Sequence, residues 1–64
     1  MNEGMKKRLE ENLGHVIEIR TKSKGKIKGL LSWISPDCCM AEVKLRSGEI
    51  NTVLDTQIKS IRKI

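Results

Sequence analysis

The sequence contains no phenylalanine or tyrosine, one tryptophan and one proline in 64 residues. Without aromatic rings to fill it, a core must be built from Ile, Leu and Val, and base-stacking platforms, which use aromatic side chains, have Trp33 as their one candidate. The two cysteines, Cys38 and Cys39, are adjacent. Neighbouring residues close almost no loop, so this pair cannot supply the disulfide framework that staples small secreted domains, and a reducing cytoplasm is the expected compartment. No apolar run approaches the roughly 20 residues needed to cross a bilayer as a helix. Met1 leads directly into Asn2-Glu3-Gly4, so no signal peptide is expected either. The length suits a single domain, residues 1–64, and below about 70 to 80 residues one core rarely supplies more than roughly 3–5 kcal/mol. An enzyme cleft needs more substantial walls, so catalysis is not expected, nor is a cofactor.

Charge is plentiful. Charged residues make up 33 % of the chain, and 13 Lys and Arg against 8 Asp and Glu leave a formal charge of +5. That excess favours polyanionic partners, nucleic acid first among them, although it also serves solubility.

The apolar period changes along the chain. Met5, Leu9 and Leu13 recur every four residues among Lys6, Lys7, Arg8, Glu10 and Glu11, which predicts an amphipathic helix over residues 2–13. Asn2 is its expected N-cap, Glu3 pairs with Lys7 one turn on, and Gly14 is its C-terminal stop. From His15 to Lys22 the period becomes two, with Ile17, Ile19 and Thr21 alternating against Glu18, Arg20 and Lys22. After the polar break Ser23-Lys24-Gly25, a second strand runs from Lys26 to Ile34, with Gly29 marking a bulge or sharp bend. Ser35-Pro36-Asp37 signals a turn, Met40 to Arg46 a third strand, and Arg46-Ser47-Gly48-Glu49 a hairpin with Gly48 at positive φ. Glu49 to Leu54 reads as the fourth strand. The three-residue gap between Ile58 and Ile61 suggests one helical turn before a last short strand. Five short antiparallel strands with regular turn signals, after a helix, predict a small barrel over residues 15–64.

The segments Leu13-Gly14-His15-Val16-Ile17-Glu18-Ile19, Gly25-Lys26-Ile27-Lys28-Gly29-Leu30-Leu31 and Val53-Leu54-Asp55-Thr56-Gln57-Ile58-Lys59-Ser60-Ile61 resemble those of the small SH3-like barrels. The type they resemble within that group is the Sm-like one, to which the bacterial RNA chaperone Hfq belongs. The closing segment fits the barrel that ends the ribosome-maturation protein RimP about as well. The resemblance implies a homo-oligomeric ring, closed where the fourth strand of one copy, Glu49 to Leu54, pairs with the fifth of the next, Ser60 to Ile64.

Arg20, Lys22, Lys24, Lys26 and Lys28 form the densest feature, cations at alternate positions around the first hairpin. On a strand this spacing puts them on one face, within reach of a phosphate backbone, and it equally suits a solvated, aggregation-resistant tip. Trp33 shares the parity of Ile27 and Leu31 and is expected in the core rather than on a ligand platform. Leu30, Ile34 and Met40 fall on the opposite parity and, with Ile64 at the last strand's end, are the expected protein interface. The alternative for Leu30 and Ile34 is that the helix covers them. His15, Cys38 and Cys39 lack the spacing of a zinc site, and no metal is expected. Nothing places Glu49 and Asp55 across a cleft as an acid–base pair. The sequence therefore favours a non-enzymatic small barrel that binds nucleic acid, RNA before DNA, with little sequence selectivity. The alternative is a protein-interaction adaptor of phage or mobile-element origin that seizes a host protein through its apolar residues.

Overall fold

The computed structural model describes residues 3–64. The expected cap at Asn2 lies outside the described residues, as does the Glu3 side chain and with it the Glu3–Lys7 pair. A helix, α1 (Glu3–Asn12), precedes five strands: β1 (Val16–Thr21), β2 (Lys26–Ile34), β3 (Met40–Lys44), β4 (Ile50–Leu54) and β5 (Ile58–Lys63). A single 3₁₀ turn, Asp55–Gln57, separates β4 from β5. All five strands form one antiparallel sheet in the order β4-β3-β2-β1-β5. Val53 from one edge strand and Ile58 and Ile61 from the other share a single core cluster with Ile17, Ile19, Ile27, Leu31, Ala41 and Val43. The sheet therefore curls until its two edges face a common interior, which makes the mainly β, partly open small barrel expected from the strand pattern.

The helix packs against β2 and β5 by driving Leu9 into the core, with Met5 beside it. Leu13 does not complete that stripe. Helix α1 ends at Asn12, Gly14 takes φ +83°, and Leu13 is left exposed on the turn. The amides of Gly14 and Leu31 then bond to the carbonyls of Leu31 and His15 at 2.8 and 3.0 Å, so the chain leaving the helix is already held on β2.

Gly29 marks a close approach of β2 to β3 rather than the bulge. A Cβ there would lie 2.5 Å from the Lys44 carbonyl oxygen and 2.9 Å from Val43 Cγ1, so glycine is what allows β2 and β3 to close together. The break in register falls later, between Leu31 and Trp33. This displacement overturns two expectations. Beyond it the alternation inverts, so Ile34 turns inward opposite Ala41 and packs on the core, while Trp33 turns outward and is 39 % exposed.

The turns obey local chemistry. Gly25 and Gly48 take φ +75° and +95°, as their hairpins require. Thr21 closes the first hairpin, its hydroxyl donating to the Gly25 carbonyl and accepting from the Lys24 amide. Between β2 and β3 the buried Ser35 hydroxyl donates to Asp37 Oδ1 at 2.6 Å and accepts from the amides of Cys39 and Met40. Cys38 is held there at φ 60°, an uncommon conformation for a residue with a side chain. No helix among the described residues is long and apolar enough to cross a membrane.

Candidate nucleic-acid interface

The pairing of β1 with β2 and β5 decides which charges meet. Ile17, Ile19, Ile27 and Ile61 point into the core, so their alternating neighbours lie on the outer face of the sheet. Two rows of side chains cross that face: Lys26, Arg20 and Ser60, then Lys28, Glu18 and Arg62. Arg20, Lys26 and Lys28 are all exposed on this face, and Lys22 and Lys24 are exposed in the hairpin tip beyond it. Of the five cations expected to act together, the register brings Arg20, Lys26 and Lys28 to one face, and Lys22 and Lys24 lie in the adjoining tip.

Strand register brings two more residues to this face. Arg62 joins the face from the far end of the chain, and Glu18 sits beneath it, 7 % exposed, with Arg62 Nε 3.4 Å from Glu18 Oε2. Glu18 thereby offsets part of the positive charge at the centre of the face. A shallow groove runs along these rows between Glu18, Arg20, Lys26, Ser60 and Arg62.

The partition of charge over the chain is uneven. The β1–β2 hairpin through Lys28, together with β5, carries eight cations (Arg20, Lys22, Lys24, Lys26, Lys28, Lys59, Arg62 and Lys63) against the one carboxylate of Glu18. The stretch carrying β3 and β4 reverses this, with Asp37, Glu42, Glu49 and Asp55 against Lys44 and Arg46. The positive charge is therefore concentrated in one half of the sheet, where it can hold a polyanion.

The residues expected to form one apolar interface do not lie together. Leu30 pairs with Val16 on one side and Lys44 on the other, whereas Met40 pairs with Leu54 at the opposite end of β3. Ile34 is withdrawn into the core packing, as described above. The exposed apolar surface is thus divided. Val16 and Leu30 border one small hollow, and Ile64, whose amide bonds to the Val16 carbonyl, lies alongside. Trp33, Met40 and Leu54 occupy the outer face of the β3–β4 half, around Glu42 and Thr52.

Two titrating groups in the residue 35–39 turn depart from their ordinary behaviour. The Ser35 hydroxyl, followed by the Cys39 amide, stabilises the Asp37 carboxylate and lowers its pKa. Desolvation and then the nearby Asp37 charge raise that of the Cys39 thiol, which disfavours a reactive thiolate. Cys38 is buried. Among the described residues no group of three or more His, Cys, Asp or Glu is placed to hold a metal ion.

No family model and no curated protein matches this sequence. Among solved structures, the fold is similar to a chain from a structure described as "Structural basis of the Dcp1:Dcp2 mRNA decapping complex activation by Edc3 and Scd6", with a TM-score of 0.74 over 88 % of this chain at 14 % identity. This chain spans 58 % of that neighbour's length. At such low identity the likeness establishes the architecture, a small antiparallel barrel-like sheet.

Proposed function

We propose that this protein is a non-enzymatic, cytoplasmic nucleic-acid-binding barrel of the Sm-like type, taking single-stranded RNA in preference to DNA through phosphate contacts. The observation that carries the reading is the cationic face of Arg20, Lys26, Lys28 and Arg62, with Lys22 and Lys24 in the adjoining hairpin tip, set against a single carboxylate. Exposed, flexible lysines on a strand face match the spacing of a phosphate backbone but carry little base information, so affinity is electrostatic and selectivity low. The structural neighbour's description as an mRNA decapping complex is compatible with RNA-related work.

The same reading includes self-association. Strand β4 is a sheet edge without a charged residue, whereas the other edge, β5, carries Lys59, Arg62 and Lys63. Edges are usually guarded by charge, and β4 is guarded only at its flanks, by Glu49 and Asp55. The β4 of one copy therefore fits the β5 of the next, neutral and acid-flanked against basic.

A salt titration tests the electrostatic core of the proposal. Five phosphate contacts to a single strand give a slope of about −3.5 in log K against log salt, a loss of about 100-fold between about 50 and 200 mM. Replacing Lys24, Lys26 and Lys28 together with Glu should abolish binding. Affinity that changes by less than about threefold over that range, or survives the triple replacement, refutes the proposal. A second reading, a protein-interaction module, is favoured by the outward Trp33, Met40 and Leu54, and binding of that kind would be nearly indifferent to salt.

A further inference from the structure

We infer that the cleft between the β1–β2 hairpin tip and β4 is a pocket for one unstacked nucleobase, its phosphate held by Lys24 and Lys26. The inference rests on the nucleic-acid reading above and adds to it a site where a base is read. The cleft has a volume of about 280 Å³ and is bordered by Lys24, Lys26, Asn51, Thr52 and Gln57, with Ile27 and Val53 in its lining. Ligand pockets begin near about 300 Å³, so the space suits one small ring system rather than a larger ligand.

The chemistry of the lining points to a base rather than to an anion alone. Asn51 stands opposite Val43, a core residue, so strand alternation directs it toward the barrel interior, a position where the other strands place aliphatic residues. It is half-buried and its side chain forms no hydrogen bond among the described residues, yet its amide is not sealed from solvent. A carboxamide so placed offers an adjacent donor and acceptor, the pair that reads a base edge. Gln57 contributes a second amide whose Oε1 is fixed by the Leu54 amide at 3.2 Å, leaving its NH₂ group to donate. The mouth is held in shape because the Lys22 amide bonds to the Gln57 carbonyl at 3.0 Å, tying the hairpin to the 3₁₀ turn. Buried Ile27 and Val53 supply an apolar surface for the face of a ring, and the two lysines lie where the attached phosphate would emerge.

The experiment is fluorescence anisotropy of the intact protein with short labelled homopolymers of A, U and C, at several salt concentrations. Wild type should prefer one base by about fivefold or more, the lower end of what a paired amide contributes. Asn51→Ala and the strand-compatible Asn51→Thr should both erase that preference and leave the salt slope unchanged, with circular dichroism confirming the fold of each. Equal affinity of wild type for all three polymers, or a preference that survives both replacements, overturns the pocket while leaving the phosphate-binding reading intact. Failure of wild type to bind any polymer at low salt overturns both.

Discussion

Gly29→Ala tests the packing that bends the barrel. The added Cβ would meet a backbone carbonyl oxygen, Lys44 O, at 2.5 Å and the branched Val43 Cγ1 at 2.9 Å, with the Lys44 carbonyl carbon at 3.1 Å. Neither neighbour can swing away like the end of a flexible side chain. Lys44 is paired with Leu30, and Val43 is fully buried, so relief requires β3 to separate from β2 where Leu30–Lys44 and Leu31–Val43 form the ladder. Overpacking of this kind costs about 1–3 kcal/mol. A core of this size supplies only about 3–5 kcal/mol in total, so one methyl group removes a large fraction of the stability. With a urea m-value near about 1 kcal/mol/M, the midpoint should fall by about 1–3 M, or the variant should be partly unfolded without denaturant. Urea titration followed by far-ultraviolet circular dichroism gives the number. Gly25→Asn is the control: its Cβ meets nothing within 4 Å, and it carries only the strain of a positive φ of +75° that asparagine adopts more readily than other residues, so its midpoint should fall by less. A Gly29→Ala midpoint equal to that of wild type would refute the close approach of β2 and β3.

Two further predictions concern charge. Glu18→Gln removes the one carboxylate of the basic face and frees Arg62 while keeping its shape, so RNA affinity should rise and the salt slope steepen by about 0.7 for one added phosphate contact; unchanged or weaker binding in the anisotropy titration would contradict the placement of Glu18. Asp37 has a lowered pKa in the fold, chiefly through the Ser35 hydroxyl and then the Cys39 amide, so its ionised form contributes stability that is present above the unfolded-state pKa and lost as pH falls through the folded one. Wild type should therefore melt above Asp37→Asn at neutral pH, and the gap should close below about pH 4; a gap independent of pH counts against the turn described here.

The sequence was most legible where one residue determines one conformation. Gly14, Gly25 and Gly48 were each read as a stop or turn, and each takes a positive φ. The span of β2 is also as expected, because Lys26 to Ile34 is bounded by unambiguous turns. Trp33 and Ile34 lie on the faces opposite to those their parity predicts, for a definite reason. Period-two reasoning assumes an unbroken ladder, and the shift between Leu31 and Trp33 exchanges their faces without leaving a mark in the sequence. The cationic hairpin was visible because its members are close in sequence. Arg62 and Glu18 were not grouped with it, since only the β1–β5 register brings residue 62 beside residue 18. Asn51 did leave a signal: an amide two residues before the inward-facing Val53 interrupts an apolar row, and a polar group at a core position invites the question of what it bonds.

The order of the strands links the basic face to the proposed assembly. The cations lie on the β1–β2 hairpin and on β5, and β5 is an edge, so the positive surface reaches one end of the sheet. The other end, β4, has no charge of its own between Ile50 and Leu54. Isologous pairing of two β5 edges would bring Lys59, Arg62 and Lys63 against their own copies, at a cost in like-charge repulsion, whereas β5 against β4 avoids it. Head-to-tail addition of that kind repeats one basic surface per copy, in the same orientation each time. A polyanion that crosses from one copy to the next then meets each new set of cations at a high effective concentration, so a face too weak to hold RNA as a single copy can do so as an array. The proposed RNA binding and the proposed self-association are therefore one arrangement, and weakening the β4–β5 contact should lower RNA affinity.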